Sequence, residues 1–237
     1  FGWGFIPAII CSIIVTGCLS FLVSIPAWRF RSDYFVMLSL AVQVTIYSLL
    51  YNWTGLTKGP FGITGIPKPT ILGYKIDTLP NMFILSTVIA IICGVILYVL
   101  LRSPWGKALK AMRDDELAAR GLGKNTRLFK LQAFLIACSM VALAGGLYAT
   151  YVSYIDPTSF TLDESILMLS MVIVGGTGNF RGPIVGALIL IAIPEILRFV
   201  HIPDAFAANI RLLIYGLLIV TMAHFRPQGL AGKYRFK

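Results

Sequence analysis

The chain has 237 residues, of which 57% are hydrophobic and 13% charged, and its mean hydropathy is +0.83. Soluble domains carry about 25% charged residues, so this composition cannot cover a water-facing surface and predicts a polytopic α-helical membrane protein. The net charge of +10 does not indicate a nucleic-acid partner: twelve of the twenty Lys and Arg lie at 102–130 or after Phe225, where positive-inside topology accounts for them.

The apolar runs reach about 20 residues, enough to cross about 30 Å of hydrocarbon at 1.5 Å per residue. They are apolar on every side, which excludes a β-barrel with its period of two. In chain order, the first span is predicted over 4–26, ending at Pro26 before Arg29 and Arg31. The second covers 34–51. Residues 52–80 form a long polar loop rich in Gly and Pro, with the aromatic and glycine content of an ordered cap or of a plain connector. The third span covers 82–101. Phe1 is not an initiator Met, and the apolar stretch opens almost at once, so a processed product or a fragment lacking upstream spans is expected.

Residues 102–130, RSPWGKALKAMRDDELAARGLGKNTRLFK, carry eight Lys or Arg and three acids between apolar runs. A compact basic loop between spans faces the cytoplasm. Ser103 suits an N-cap and Pro104 the first helical position, which predicts a helix over 104–120. Lys110 with Asp114 and Glu116 with Arg120 are spaced to pair at i,i+4, Gly121 falls where a glycine ends a helix, and Trp105 suits a membrane-interface anchor. This element fits a helix on which a soluble partner docks; an ordinary solvated hairpin fits the same spacing.

The fourth span is predicted over 131–150, followed by an acidic outer loop at 151–164. Then come an apolar run at 165–175, a glycine-rich break, a second run at 183–200 and a last span over 209–225, with a basic cytoplasmic tail at 226–237. Placing 102–130 inside puts 52–80 and 151–164 outside and requires three crossings after residue 164. The expected architecture is thus an all-α transmembrane bundle of about seven spans, one of them short and glycine-broken, forming a single domain.

The break comprises Gly175, Gly176, Thr177, Gly178, Asn179, Phe180, Arg181, Gly182 and Pro183. It matches neither a phosphate loop nor a dinucleotide fingerprint. A discontinuity lining a substrate path and a tight turn between packed spans both fit it. Glu195 and Arg198 at i,i+3 could neutralise each other near the outer interface. Cys11, Cys18, Cys93 and Cys138 read as small buried apolar residues. With His201 and His224 they offer no metal-ligand spacing, and no GxSxG or HExxH motif supports an enzyme. Ala142, Gly145, Gly146 and Ala149 form a small-residue face suited to close helix contact with another subunit.

Five stretches in order resemble the permease subunits of branched-chain amino acid ABC importers: IPAWRFRSDYFVMLSLA at 25–41, TGLTKGPFGITGIP at 54–67, RSPWGKALKAMRDDELAARGLG at 102–123, KLQAFLIACSMVALAGGLYA at 130–149 and SILMLSMVIVGGTGNFRGPIVGALIL at 165–190. The chain looks most like the longer of the two permeases that pair in such importers. The resemblance implies an inner-membrane permease with a homologous second permease, two cytoplasmic ATPase subunits and an extracytoplasmic binding protein as partners. Lipid surrounds it and no nucleic acid is involved. ATP and Mg would sit on the ATPase subunits, with no cofactor on this chain. The docking residues it implies are Arg113, Asp114, Asp115, Glu116, Ala118, Ala119 and Gly121; residues Gly175, Gly176, Gly178, Asn179, Gly182 and Pro183 form the helix break beside the pathway. Leu, Ile and Val are the implied substrates, with urea and short amides carried by importers sharing these motifs. An ion-coupled secondary transporter and an assembly subunit without transport activity are the competing readings.

Overall fold

The computed structural model describes residues 4–27, 32–71, 74–176, 178 and 180–199, together with 213, 214, 216, 217, 220, 221 and 230. Arg29 and Arg31, Thr177, Asn179, both histidines, most of the expected last span and the basic residues of the tail lie outside the described residues.

Helices dominate because a hydrocarbon environment leaves the backbone no other partner than itself. α1 spans Phe5–Ala27, α2 Ser32–Asn52, the short α3 Thr54–Thr57 and α4 Leu79–Arg102. α5, Pro104–Asp114, and α6, Glu116–Gly121, make a basic elbow that leads into α7, Thr126–Val152. α8, Leu162–Gly175, and α9, Arg181–Phe199, follow. Four segments among the described residues are long and apolar enough to cross a membrane: Phe5–Ser24, Leu79–Arg102, Thr126–Val152 and Pro157–Gly175. A fifth is added if α2 and the helical turn after it, bent by 69°, count as one. The described residues therefore supply four or five of the roughly seven spans expected.

Hydroxyls within the spans bond back onto their own helices. Ser20 donates to Gly17 O at 2.9 Å, Ser86 to Phe83 O at 3.0 Å, Ser139 to Leu135 O at 2.8 Å and Ser170 to Ile166 O at 2.6 Å. Each bond hides a polar group that lipid cannot satisfy.

The chain divides into two compact units, Phe1–Thr158 and Ser159–Lys237. In the first, α1 packs along α7. Ser12 donates to Ala142 O at 3.3 Å, and a Cβ on Gly146 would lie 3.4 Å from Ile9. The small-residue face expected to meet another subunit is therefore covered, at Ala142 and Gly146, by α1 of the same chain; open space surrounds Gly145.

The described residues of the 52–80 connector form short, paired elements. A 3-10 turn at Gly59–Phe61 leads into β1, Ile63–Thr64, which pairs antiparallel with β4, Tyr154–Ile155, just beyond α7. β2, Thr70–Ile71, pairs with β3, Tyr74–Lys75, and Asp77 draws in Lys75 at 3.2 Å. Gly62 has φ +63, and a Cβ there would sit 2.5 Å from Ile155 O, so only glycine lets β1 lie against β4.

In the second unit α8 and α9 form a helical hairpin. Leu190, Val174 and Ser170 are fully buried within it.

Candidate functional site: the basic elbow and the glycine hairpin

The elbow begins where α4 ends. Arg102 lies over the Tyr98 ring, 4.3 Å from its centroid, the cation–π contact of a basic residue at a helix terminus. Ser103 accepts from Gly106 N–H at 3.3 Å and Pro104 occupies the first turn of α5, as the spacing predicts. The turn is sharp enough that a Cβ on Gly106 would fall 2.5 Å from Leu101 O. A cleft of about 340 Å³ opens beside it, lined by Leu100, Trp105, Gln132, Leu135 and Ile136.

The helix expected over 104–120 is two helices. Asp115 takes an extended conformation, φ −153 and ψ 107, and its carboxylate accepts from Leu117 N–H at 2.8 Å and Ala118 N–H at 2.9 Å. An Asp that caps a new helix terminates the old one. The glycine that closes α6 is Gly123, just past the Leu122 cap, and not Gly121, which is the last helical residue: Gly123 has φ +75, Gly123 N–H donates to Arg120 O at 2.9 Å and Lys124 N–H to Ala119 O at 3.2 Å. This is the Schellman pattern, with its left-handed residue two places later than the sequence suggests.

Charged residues of the elbow divide by role. Asp114 pairs with its neighbour Arg113 at 3.1 Å rather than with Lys110. Glu116 makes the expected i,i+4 pair with Arg120 at 2.7 Å, and its other oxygen takes Lys130 of α7, also at 2.7 Å. Arg120 Nε donates to the buried Thr126 hydroxyl at 2.8 Å. The Lys130 ammonium holds the Glu116 carboxyl below its ordinary value of 4.5; partial burial opposes this, while Arg120 and Thr126 add to it. Trp105 donates its indole N–H to Gln132 Oε1 at 2.8 Å, which binds α5 to α7 as well.

Of the residues proposed for docking, Arg113, Asp114, Asp115, Ala118 and Gly121 are exposed, Glu116 is held in its clamp and Ala119 is buried at 4% exposure. Two residues that the sequence reading passed over stand out: Leu117 at 78% exposure and Leu122 at 82%. Their signal was available, since they are large apolar side chains in a hydrophilic stretch.

The glycine hairpin is a backbone-to-backbone contact. A Cβ on Gly175 would sit 1.9 Å from Gly182 O, one on Gly182 would sit 2.1 Å from Gly176 O, and one on Gly186 would sit 1.9 Å from Met171 O. Gly176 and Gly178 carry φ of +110 and +83. Pro183 lies in the first turn of α9, where a missing N–H costs nothing. The break also takes the usual intrahelical partner from Val174 O, and Leu230 N–H supplies one at 3.0 Å. Gly175, Gly176, Gly178, Gly182 and Pro183 thus come together in a tight turn, and Asn179 lies outside the described residues. Glu195 is exposed on α9, while the Arg198 side chain expected to pair with it is not among those described.

Among the described residues no group of three or more His, Cys, Asp or Glu could hold a metal ion. Long apolar helices, self-satisfied hydroxyls and a capped basic elbow between two spans define a multi-pass membrane protein.

Comparison with known proteins is specific. The chain belongs to the family of permease components of the branched-chain amino acid transport system, whose profile matches residues 1–223. It is 32% identical over 253 residues to the high-affinity branched-chain amino acid transport system permease protein LivM of Escherichia coli (strain K12), covering 97% of this chain and 58% of that one. It is 25% identical over 239 residues to the probable branched-chain amino acid transport permease protein LivM of Methanocaldococcus jannaschii, covering 95% and 68%. A more distant relative is the autoinducer 2 import system permease protein LsrC of Salmonella typhi, 28% identical over 182 residues, 72% of this chain and 50% of that one. The chain spans 58% of the length of the Escherichia coli relative. No solved structure matches it.

Proposed function

We propose that this chain belongs to a bacterial inner-membrane ABC importer and forms, with a homologous second permease, the translocation pathway for Leu, Ile and Val. ATP hydrolysis on two separate cytoplasmic subunits drives it, and an extracytoplasmic binding protein delivers the substrate. The basic elbow then faces the cytoplasm, as does the C-terminus, and β1 with β4 lies at the outer face.

The observation that carries this reading is the apolar pair Leu117 and Leu122, presented to water on a capped, basic, tethered elbow. Solvated connectors do not need two exposed leucines held on a rigid base, whereas a partner subunit gains from burying them. The family and its LivM members supply the cargo.

Purification of the tagged chain from its native membrane in mild detergent tests the reading. A phosphate-loop ATPase and a homologous permease should co-purify, and the reconstituted complex should take up labelled leucine in preference to urea. A chain recovered intact but alone would sink the importer reading and favour an ion-coupled carrier; preference for urea would overturn the substrate assignment.

A further inference from the structure

We propose that α7 is a rigid relay joining the basic elbow to the outer strand pair, and that Lys130 and Gln132 are positioning residues which tie the elbow to it. This rests on the importer reading above and says which element carries the stroke.

Three side-chain ties fasten the elbow to the first two turns of α7. They are Glu116 to Lys130 at 2.7 Å, Arg120 to Thr126 at 2.8 Å and Trp105 to Gln132 at 2.8 Å. They come from both helices of the elbow, so neither α5 nor α6 can shift without pulling on α7. Two of them involve a charged group, the stronger kind of hydrogen bond. Asn125 caps the helix by accepting from Leu128 N–H, which keeps the tied end from fraying.

From that end α7 runs unbroken for 27 residues, about 40 Å at 1.5 Å per residue. It contains no proline. Its Gly145–Gly146 step is the place where a helix of this kind would bend, and there Gly146 is seated against Ile9 of α1. The far end passes without a linker into the outer cap. Ser153, in a left-handed conformation, accepts from Ile66 N–H at 3.2 Å, and Tyr154–Ile155 is the strand paired with Ile63–Thr64. A helix stiff over its length and hydrogen-bonded at both ends transmits displacement; a chain of loops would absorb it.

The test reads the outer end while the inner end is altered. In the assembled complex, with Cys11, Cys18, Cys93 and Cys138 replaced by Ala, the exposed Thr64 is changed to Cys. It is then labelled with a membrane-impermeant maleimide with and without a non-hydrolysable ATP analogue. Labelling should respond to nucleotide. In a Lys130→Met, Gln132→Leu double variant the response should be roughly ten-fold smaller, the size of an ordinary coupling between sites, with the ATPase still bound. Lys130→Arg with Gln132→Glu keeps a cation and an acceptor in place and should restore it. A merely structural role would not distinguish the conservative pair from the apolar pair by nucleotide response at equal assembly. A full response in the double variant, or none in the parent complex with ATPase bound, overturns the relay alone. Absence of any ATPase from the complex sinks the importer reading and the relay together.

Discussion

Lys130 Nζ lies 2.7 Å from one carboxylate oxygen of Glu116 while Arg120 takes the other at 2.7 Å. The two partners of Glu116 sit on different helices, so this acid acts as a clip between α6 and α7 more than as a surface contact. The acidic run Asp114, Asp115 and Glu116 therefore contains three residues with three separate tasks.

Alanine substitution should separate those tasks. Asp114→Ala removes an exposed neighbour pair and should change stability by less than about 0.5 kcal/mol. Asp115→Ala removes a cap and should cost about 1 kcal/mol, and Asp115→Asn should recover most of it because an amide oxygen caps as well. Thermal unfolding of the detergent-purified variants checks the order; an Asp114→Ala cost equal to that of Asp115→Ala would contradict it.

The clip carries a pH signature. Its carboxyl is held below its ordinary value of 4.5, so its contribution is fully present above that value. It is lost as pH falls through the lowered one. The difference in unfolding midpoint between wild type and Glu116→Gln should be constant from neutral pH down to about 4.5 and shrink below it. A difference that already fades between pH 7 and 6 would assign the effect to another group.

Leu117→Glu and Leu122→Glu address the partner. Both side chains are solvent-facing, so the folded chain should tolerate either change within about 0.5 kcal/mol. Membrane levels should therefore match wild type. Recovery of the ATPase on the tagged chain should fall by about ten-fold or more, the loss expected on truncating an interface anchor. Undiminished recovery with both substitutions present would place docking elsewhere.

Glycine substitutions in the hairpin should differ sharply from those elsewhere. Gly186→Ala forces a Cβ to 1.9 Å from a backbone oxygen, while Gly145→Ala meets open space. Overpacking against backbone costs at least about 1–3 kcal/mol. Gly186→Ala should therefore lower the midpoint or abolish accumulation in the membrane, and Gly145→Ala should do neither.

The spans were legible because apolar length is a local property: 82–101 against Leu79–Arg102 and 131–150 against Thr126–Val152 differ only by the polar or aromatic turns at their ends. Ser103 with Pro104 was legible for the same reason, and so was Glu116 with Arg120, which needs only one helical turn. Lys130 was not, since its meeting with Glu116 depends on how α6 folds back on α7. The break at Asp115 escaped because Asp is acceptable inside a helix and decisive only as a cap, a choice made by φ and ψ. Gly121 drew the helix end to itself, yet the left-handed residue is Gly123. The small residues of the break, Gly175 and Gly182 among them, suggested close packing, but contact between carbonyl and glycine across two helices is a property of the pair, and Gly186, which shares in it, was not singled out. Leu117 and Leu122 were readable and were passed over because charge drew attention to their neighbours.

The bond from Leu230 N–H to Val174 O bears on how the chain is made. A helix end is ordinarily finished by residues one turn away, whereas this one waits for a residue synthesised much later. While the ribosome is still producing α9, the α8 carbonyl end has no such donor and depends on water or on the translocation machinery to meet it. The hairpin thus reaches its final form only after the downstream chain has returned to it, so the order in which these helices enter the membrane is not the order in which they are completed.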